Sequence, residues 1–385
     1  MPHLDSKLPR VGTTIFTVMS RLAEQTGALN LGQGFPDFEP PAAFAESLQR
    51  HVRAGKNQYA PMAGVPRLKQ RIAEKLARDY GAVLDAEANI TVTDGATEGL
   101  FDTITAVVRP GDEVIVFDPC YDSYEPAVLL QGGRVIHLPL SAEYRIDWQR
   151  LKDAIGQRTR LIVLNFPNNP SGAVLEPGDL EELHRLLDHT GVFVLSDEVY
   201  EHIVYDGREH QSLLRHADLR ERSFVVGSFG KAFHTTGWKV GWVAAPAQLT
   251  AELRKVHQFV TFSTSTAAQH AFADVLETQP HLLRELPAFY QEKRDRFARL
   301  LAPSRLRLLP VAGTYFQLAD YSELSSDPDL EFARRLAVEV GVAVIPVSPF
   351  YEAQPDQRIV RFCFAKNDST LEHAATRLSE FAALK

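Results

Sequence analysis

Two hydrophobic rhythms divide the chain. Between Asn89 and Ala244, short apolar runs recur among helical patterns: Ile90–Thr93, Glu113–Phe117, Arg134–Leu138, Arg160–Asn165, Val192–Ser196, Ser223–Ser228 and Val240–Ala244. Most are continuous rather than alternating, as expected of strands covered on both faces, and they predict a largely parallel, doubly wound sheet. Ahead of them, Thr14–Thr26 reads as a short helix, and Pro66 opens another with Leu68, Ile72 and Leu76 on one face and Gly81 beyond it. Ala96–Val108 is the helix after the first strand, closed by Pro110-Gly111. From about Pro280 the pattern shifts to a long amphipathic helix, strands at Leu306–Leu309 and Thr314–Asp320, a helix near Leu330–Val340, further strands and a closing helix. That second rhythm predicts a smaller α+β domain.

The polar positions fall where such a sheet binds ligands, beyond the carboxyl ends of its strands. They are Asp94-Gly-Ala-Thr97, Asn168-Asn-Pro-Ser-Gly172, Asp197-Glu-Val-Tyr200 and Ser228-Phe-Gly-Lys231. The amides of Gly95, Ala96 and Thr97 lie at a helix N-terminus and suit an anion, a property every strand-to-helix turn shares. Leu31–Phe38 and Asn57–Gly64 read as irregular loops, the first with glycines that let backbone approach a ligand. Lys231, with a second cation at Lys239, has the setting of a reactive amine. Imine formation needs a neutral amine, so the usual pKa of about 10.4 must be lowered by burial or a nearby cation. Read alone, the pair fits two surface lysines equally well.

Composition narrows the class. The chain has 385 residues, a net charge of -8 spread among mixed signs, and no basic run, which excludes nucleic acid and anionic membranes as evident partners. No stretch approaches 18 unbroken apolar residues, and Met-Pro-His-Leu-Asp-Ser-Lys lacks the apolar core of a signal peptide, so a cytoplasmic location is expected. Cys120 and Cys363 are expected to be reduced thiols, and no metal is called for.

Asn169-Pro-Ser-Gly172, Asp197-x-x-Tyr200, Ser228-Phe-Gly-Lys231 with Lys239, and Ile359-Val-Arg361-Phe-Cys-Phe364, in this order and spacing, resemble the fold type I pyridoxal-phosphate aminotransferases of class I/II. Within that class, Gly32-Gln-Gly-Phe-Pro-Asp-Phe38, Asn57-Gln-Tyr-Ala-Pro-Met62, Ser196-Asp-Glu-Val-Tyr-Glu-His202, Gly237-Trp-Lys-Val-Gly241 and Arg254-Lys-Val-His-Gln258 resemble methionine and kynurenine aminotransferases. The likeness covers essentially the whole chain. It implies an α/β fold with a mainly parallel seven-stranded sheet sandwiched by helices. It also implies an N-terminal arm joined to a small domain (1–40), a large cofactor-binding domain (41–278) and a C-terminal small domain (279–385).

The resemblance assigns roles. Lys231 would hold pyridoxal 5'-phosphate covalently and carry the proton between substrate and cofactor, with Asp197 facing the pyridine nitrogen. Tyr200 and Asn169 would bond the phenolic oxygen, and Tyr121 would stack on the ring. Gly95, Ala96, Thr97, Ser228 and Lys239 would take the phosphate, Lys239 standing where relatives often carry Arg. Arg361 would bind the substrate carboxylate, helped by Asn169 and the backbone of Gly34, with Phe16, Phe262 and Phe350 lining the side-chain pocket. Tyr59 and Phe262 would reach into the neighbouring subunit's site, which implies a homodimer with shared sites. Asn168 stands where His is often found. Outside the resemblance, Asp197 would be read as a helix N-cap, Asn169 as a turn former, Tyr121 and Tyr200 as core, and Arg361 as a surface ion pair.

The implied activity is ping-pong transfer of an amino group to a 2-oxo acid through pyridoxamine phosphate. With no second arginine in a recognisable place, methionine is the expected donor, then phenylalanine, histidine or glutamine, with kynurenine a further candidate. A kynurenine/glutamine transaminase with cysteine-S-conjugate β-lyase activity is the alternative. A ligand-sensing regulator domain of the same fold is a third reading, against which the lack of a basic DNA-binding segment argues.

Overall fold

The computed structural model describes residues 4–383; the outermost positions of the 1–40 and 279–385 assignments lie outside the described residues. At its centre are β1 (Ile90–Asp94), β2 (Glu113–Asp118), β3 (Arg134–Pro139), β4 (Thr159–Asn165), β5 (Phe193–Asp197), β6 (Ser223–Ser228) and β7 (Val240–Ala244). They form one sheet in the order β1-β7-β6-β5-β4-β2-β3. The pairings β6-β5-β4-β2-β3 are parallel, while β7 runs antiparallel to both β1 and β6. Each strand lies within a residue of its apolar run. Strands β4 to β7 are almost wholly buried, whereas β3, at the sheet edge, exposes Arg134 and Pro139, as an edge strand with one open side must.

Register sets the strand ends side by side. Asp94 faces Val240, Ser228 faces Gly241, and Asn165 faces Asp197. Because β7 is reversed, its amino end, next to Lys239, joins the carboxyl ends of its neighbours. Six adjacent strands therefore deliver their polar tips to one edge of the sheet, where ligands of doubly wound folds bind.

Helices cover both faces. They include α1 (Ile15–Thr26), α2 (Pro66–Tyr80), α3 (Gly95–Val107), α4 (Tyr124–Leu130), α5 (Ala247–Val260), α6 (His281–Leu301) and α7 (Asp368–Ala383). Helix α1 starts where expected, the Thr14 hydroxyl accepting the Thr17 N–H at 3.3 Å, and stops at Gly27 in the left-handed region. A second, antiparallel sheet has the order β10 (Ile345–Pro346), β11 (Ile359–Cys363), β9 (Phe316–Asp320), β8 (Arg307–Leu308). Leu29–Asn30 pairs in parallel with Val342–Ala343, which ties the N-terminal segment to this part of the molecule.

One helix departs from expectation. The stretch read as a helix near Leu330–Val340 is an α-helix only over Asp329–Arg335 and widens into a π turn over Leu336–Val340. Apolar spacing alone does not distinguish the two, because the extra residue in the wide turn leaves Leu336 and Ala337 buried. Both cysteines are free thiols. No helix among the described residues is long and apolar enough to cross a membrane.

Candidate active site

A cavity of about 240 Å³ opens at the shared edge of β1, β7, β6, β5, β4 and β2. Its wall contains Gly95, Ala96, Thr97, Tyr121, Asn169, Asp197, Tyr200, Ser228, Lys231 and Lys239, all of them expected from the sequence. Asn165, Val199, Gly230 and Thr236 also line it and were not expected.

The anion turn is built from glycine geometry. Gly95 sits at φ +73°, and a Cβ there would come within 3.1 Å of the Lys239 Nζ. A Cβ on Gly241 would lie 2.7 Å from the Ala96 nitrogen. Bare backbone thus makes a cradle with Lys239 at its rim. Lys239 itself holds φ +53°, an uncommon conformation for a residue with a side chain, at a cost of order 1 kcal/mol.

Lys231 follows β6 on the short helix Phe229–Ala232. Its Nζ donates to the Gly34 carbonyl at 3.0 Å and lies 5.8 Å and 5.9 Å from the rings of Tyr200 and Tyr315. Burial first, and then the positive charges of Arg361 and Lys239, lower its amine to about 8 against the pull of Asp197. At pH 7.5 about a quarter of such amines are neutral, against about one in a thousand for an exposed lysine.

Asp197 ends β5 and is buried. No helix follows it, so it is not a helix N-cap; it is held from the other side. The Tyr124 hydroxyl, on α4, donates to its Oδ2 at 2.6 Å, and the Val199 N–H approaches Oδ1 at 3.4 Å. Burial raises the carboxyl to about 6, while these donors and Lys231 favour the charged form. Tyr124 was missed from sequence: Tyr121 and Tyr124, three apart, mark one face of the turn into α4, but nothing local links either to Asp197.

Asn169 and Arg361 meet. The Arg361 Nη1 donates to Asn169 Oδ1 at 2.6 Å and Nη2 to the Gly32 carbonyl at 2.8 Å. Its guanidinium lies 3.9 Å over Phe316 and 5.2 Å and 5.4 Å from Phe16 and Phe350. At 1 % exposure Arg361 is not a surface ion pair. Burial lowers it to about 10, leaving it charged at neutral pH, and its buried Nε has no hydrogen-bond partner among the described residues. An orphaned donor of this kind costs about 1–3 kcal/mol unless an acceptor arrives, and a carboxylate supplies one.

The Leu31–Phe38 loop meets side chains of the site rather than open space. The Gly34 carbonyl accepts from Lys231 and, at 2.8 Å, from the Tyr315 hydroxyl, while Arg361 takes the carbonyl of Gly32. Tyr200 is buried edge-on against Tyr315 and Phe316. Asn168 closes the neighbouring turn: its Nδ2 donates to Pro119 O at 3.3 Å and its Oδ1 accepts from the Ser171 hydroxyl at 2.6 Å. Phe16 lies 6.4 Å from Tyr121 and 5.7 Å from Phe350, forming an aromatic wall beside Arg361. Tyr59 and Phe262 lie elsewhere. They pack edge-to-face on one another at 5.4 Å, are 82 % and 40 % exposed, and do not line this chain's cavity.

A buried lysine of lowered pKa, a buried carboxylate, a glycine cradle with a cation and an arginine with an unmet donor define an enzyme site that handles anionic amino compounds. Residues 26–378 match the family of class I and II aminotransferases, and the chain belongs to that family. It is an aminotransferase of the fold type I architecture. It is 52 % identical over 376 residues, 97 % of each chain, to the methionine aminotransferase of Escherichia coli (strain K12). A solved E. coli structure described as having a methionine aminotransferase function superposes with a TM-score of 0.96 at 51 % identity, covering 99 % of this chain and 100 % of that one. Kynurenine–oxoglutarate transaminase 1 of Mus musculus is 36 % identical over 395 residues, 93 % of each chain.

Proposed function

We propose that the enzyme is a pyridoxal 5'-phosphate-dependent transaminase that takes the amino group of methionine, and of aromatic or other neutral amino acids, to a 2-oxo acid. The observation that carries the reading is the convergence of Lys231, Asp197 and the Gly95 cradle on one cavity. The donor set fits the cofactor: an amine whose neutral form is far more accessible than in an exposed lysine, a carboxylate for a protonated ring nitrogen, and amides plus Lys239 for a phosphate. When bound, the cofactor supplies an electron sink for the bond broken at the substrate Cα.

The chain's own residues do the rest. Asn169 and Arg361 hold the substrate carboxylate and orient the Cα–H bond. Lys231, in the cavity wall, would take and return the proton. Tyr200 and Asn169 would hold the cofactor's phenolic oxygen, and Tyr121, in the same wall, would take the ring. In this reading residues 1–40 join 279–385 as a small domain, an assignment supported by the Leu29–Asn30 pairing with Val342–Ala343.

Specificity follows from charge. Among the described residues no arginine lines the cavity itself, and Arg361, beside it, is the one this reading assigns to the α-carboxylate. The aromatic wall of Phe16, Tyr121 and Phe350 would surround a side-chain carboxylate, and half-buried Asp122 is close enough to Arg361 to add a negative neighbour. An unpaired buried charge costs several kcal/mol, whereas a thioether on aromatic rings gains roughly 0.3–1.5 kcal/mol. The kcat/KM for methionine should exceed that for aspartate by well over tenfold. A ratio below about 10, or roughly 1.4 kcal/mol, would mean that an unrecognised cation serves the side chain.

We further propose a homodimer with shared sites, supported by exposed Tyr59, Phe262 and Phe259, the last at 85 %. Tyr59→Ala and Lys231→Ala, each inactive alone, should regain activity when their subunits exchange, because one site in the mixed dimer carries neither lesion. Exchange shown by mass spectrometry without recovery would exclude sharing.

A further inference from the structure

Directly behind the glycine cradle lies a buried charge cluster that the reaction does not use. His257, on α5, is fully buried, with Nδ1 at 3.0 Å from Glu98 Oε1 and 3.4 Å from Asp102 Oδ2, both on α3. Its Nε2 is 3.0 Å from the carbonyl of Met62. A carbonyl oxygen only accepts, so Nε2 carries a proton, and the carboxylates on the opposite nitrogen keep a second one there. Burial opposes that charge, but the close approach of the Asp102 carboxylate and the bond to Glu98 outweigh it and raise the ring to about 9. The other oxygen of Glu98 accepts the N–H of Asp94, the residue that opens the cradle. Among the described residues neither Asp102 oxygen has a hydrogen bond, and Oδ2 meets the approach of the ring.

The other end of the link is equally specific. Met62 belongs to the Asn57–Gly64 loop, which carries Tyr59 and is fastened at Gln58 by the Thr266 hydroxyl and at Ala63 by the Val92 N–H. One turn before His257, Arg254 holds the start of β1 through Thr91 Oγ1 at 3.0 Å and the carbonyls of Glu87 and Ile90 at 2.8 Å and 2.7 Å. The Arg254-Lys-Val-His257 segment therefore grips β1 at its entry and the cradle at its exit.

We propose that His257 is a positioning residue for phosphate binding: one buried ring ties Glu98, beneath the Gly95 cradle, to the Met62 backbone of the loop that carries Tyr59. It thereby fixes the two segments that grip the cofactor phosphate, one for its own subunit's site and one for its partner's. This rests on the cofactor and dimer readings above.

The test uses apoprotein and three probes: inorganic phosphate, pyridoxal without its phosphate, and pyridoxal 5'-phosphate. Wild-type apoprotein should bind all three; failure to bind either pyridoxal 5'-phosphate or phosphate would overturn the cofactor reading, whatever His257 does. In His257→Gln, phosphate affinity should fall about tenfold while pyridoxal affinity stays within about twofold. Because the single variant leaves two buried carboxylates without a cation and risks misfolding, Asp102→Asn/His257→Gln is measured beside it. The double variant keeps the cluster's net charge and removes the two-way link, so the same selective loss is expected. Unchanged phosphate affinity, an equal fall for phosphate and pyridoxal, or recovery in the double variant would each overturn the proposal, the last by reducing it to charge balance.

Discussion

Lys231→Ala should lower kcat by at least roughly 10⁴-fold, about 5 kcal/mol of barrier, while the protein stays folded and still takes up pyridoxal 5'-phosphate non-covalently. The side chain ends in a cavity, and its one hydrogen bond is to the Gly34 carbonyl, which also receives Tyr315; truncation therefore strands no buried acceptor. It removes a buried cation, and so costs the fold little. The loss falls on chemistry, because the other lysine lining the cavity among the described residues, Lys239, stands at the Gly95 cradle. Borohydride reduction of the loaded wild type should fix the cofactor to Lys231 in a peptide map, and the variant should show no such adduct. The attachment rate should rise with pH up to about 8, because the reacting form is the neutral amine and the lowered pKa sets where that form becomes dominant. Retained turnover in Lys231→Ala would remove the residue from the reaction.

Asp197→Ala should cost about 10³-fold in kcat and no more than about tenfold in cofactor affinity. A carboxylate about 4 Å from a ring nitrogen gains roughly 4 kcal/mol at an effective dielectric near 20, about 3 pK units. That gain matters most when charge moves into the ring, so it belongs to the rate. Affinity rests mainly on the Gly95 cradle, Lys239 and Lys231, which the substitution leaves in place. Tyr124 is the internal control: it holds the carboxylate at 2.6 Å, so Asp197→Asn, which keeps an oxygen for that bond but loses the charge, should be nearly as slow. Full activity in either variant would leave Asp197 a structural residue.

Most of the scaffold was legible because buried parallel strands announce themselves. Runs such as Arg160–Asn165 and Ser223–Ser228 are unbroken by polar residues between their ends, and their polar carboxyl ends mark the ligand edge without tertiary information. The reversal of β7 was not legible, since Val240–Ala244 is buried on both faces whichever way it runs. Pairings across the chain were equally silent. Tyr124 meets Asp197, and Tyr315 meets Gly34, only because packing brings α4 and the second sheet to the cavity. The Gly34 backbone was expected to help with the substrate carboxylate, but the bonds of its carbonyl to Lys231 and Tyr315, and that of Arg361 to the Gly32 carbonyl, left no local mark. The link from Glu98 through His257 to Met62 joins three segments far apart in sequence; the Asn57–Met62 and Arg254–Gln258 motifs stood out, but nothing in either pointed to the other.

In the proposed transamination the enzyme would keep the donor's amino group until an acceptor arrives. The direct measurement is a single turnover of the loaded enzyme with methionine and no 2-oxo acid added. One equivalent of the corresponding 2-oxo acid per chain, with no ammonia, is predicted. Ammonia released in step with product, or no 2-oxo acid at all, would contradict the account.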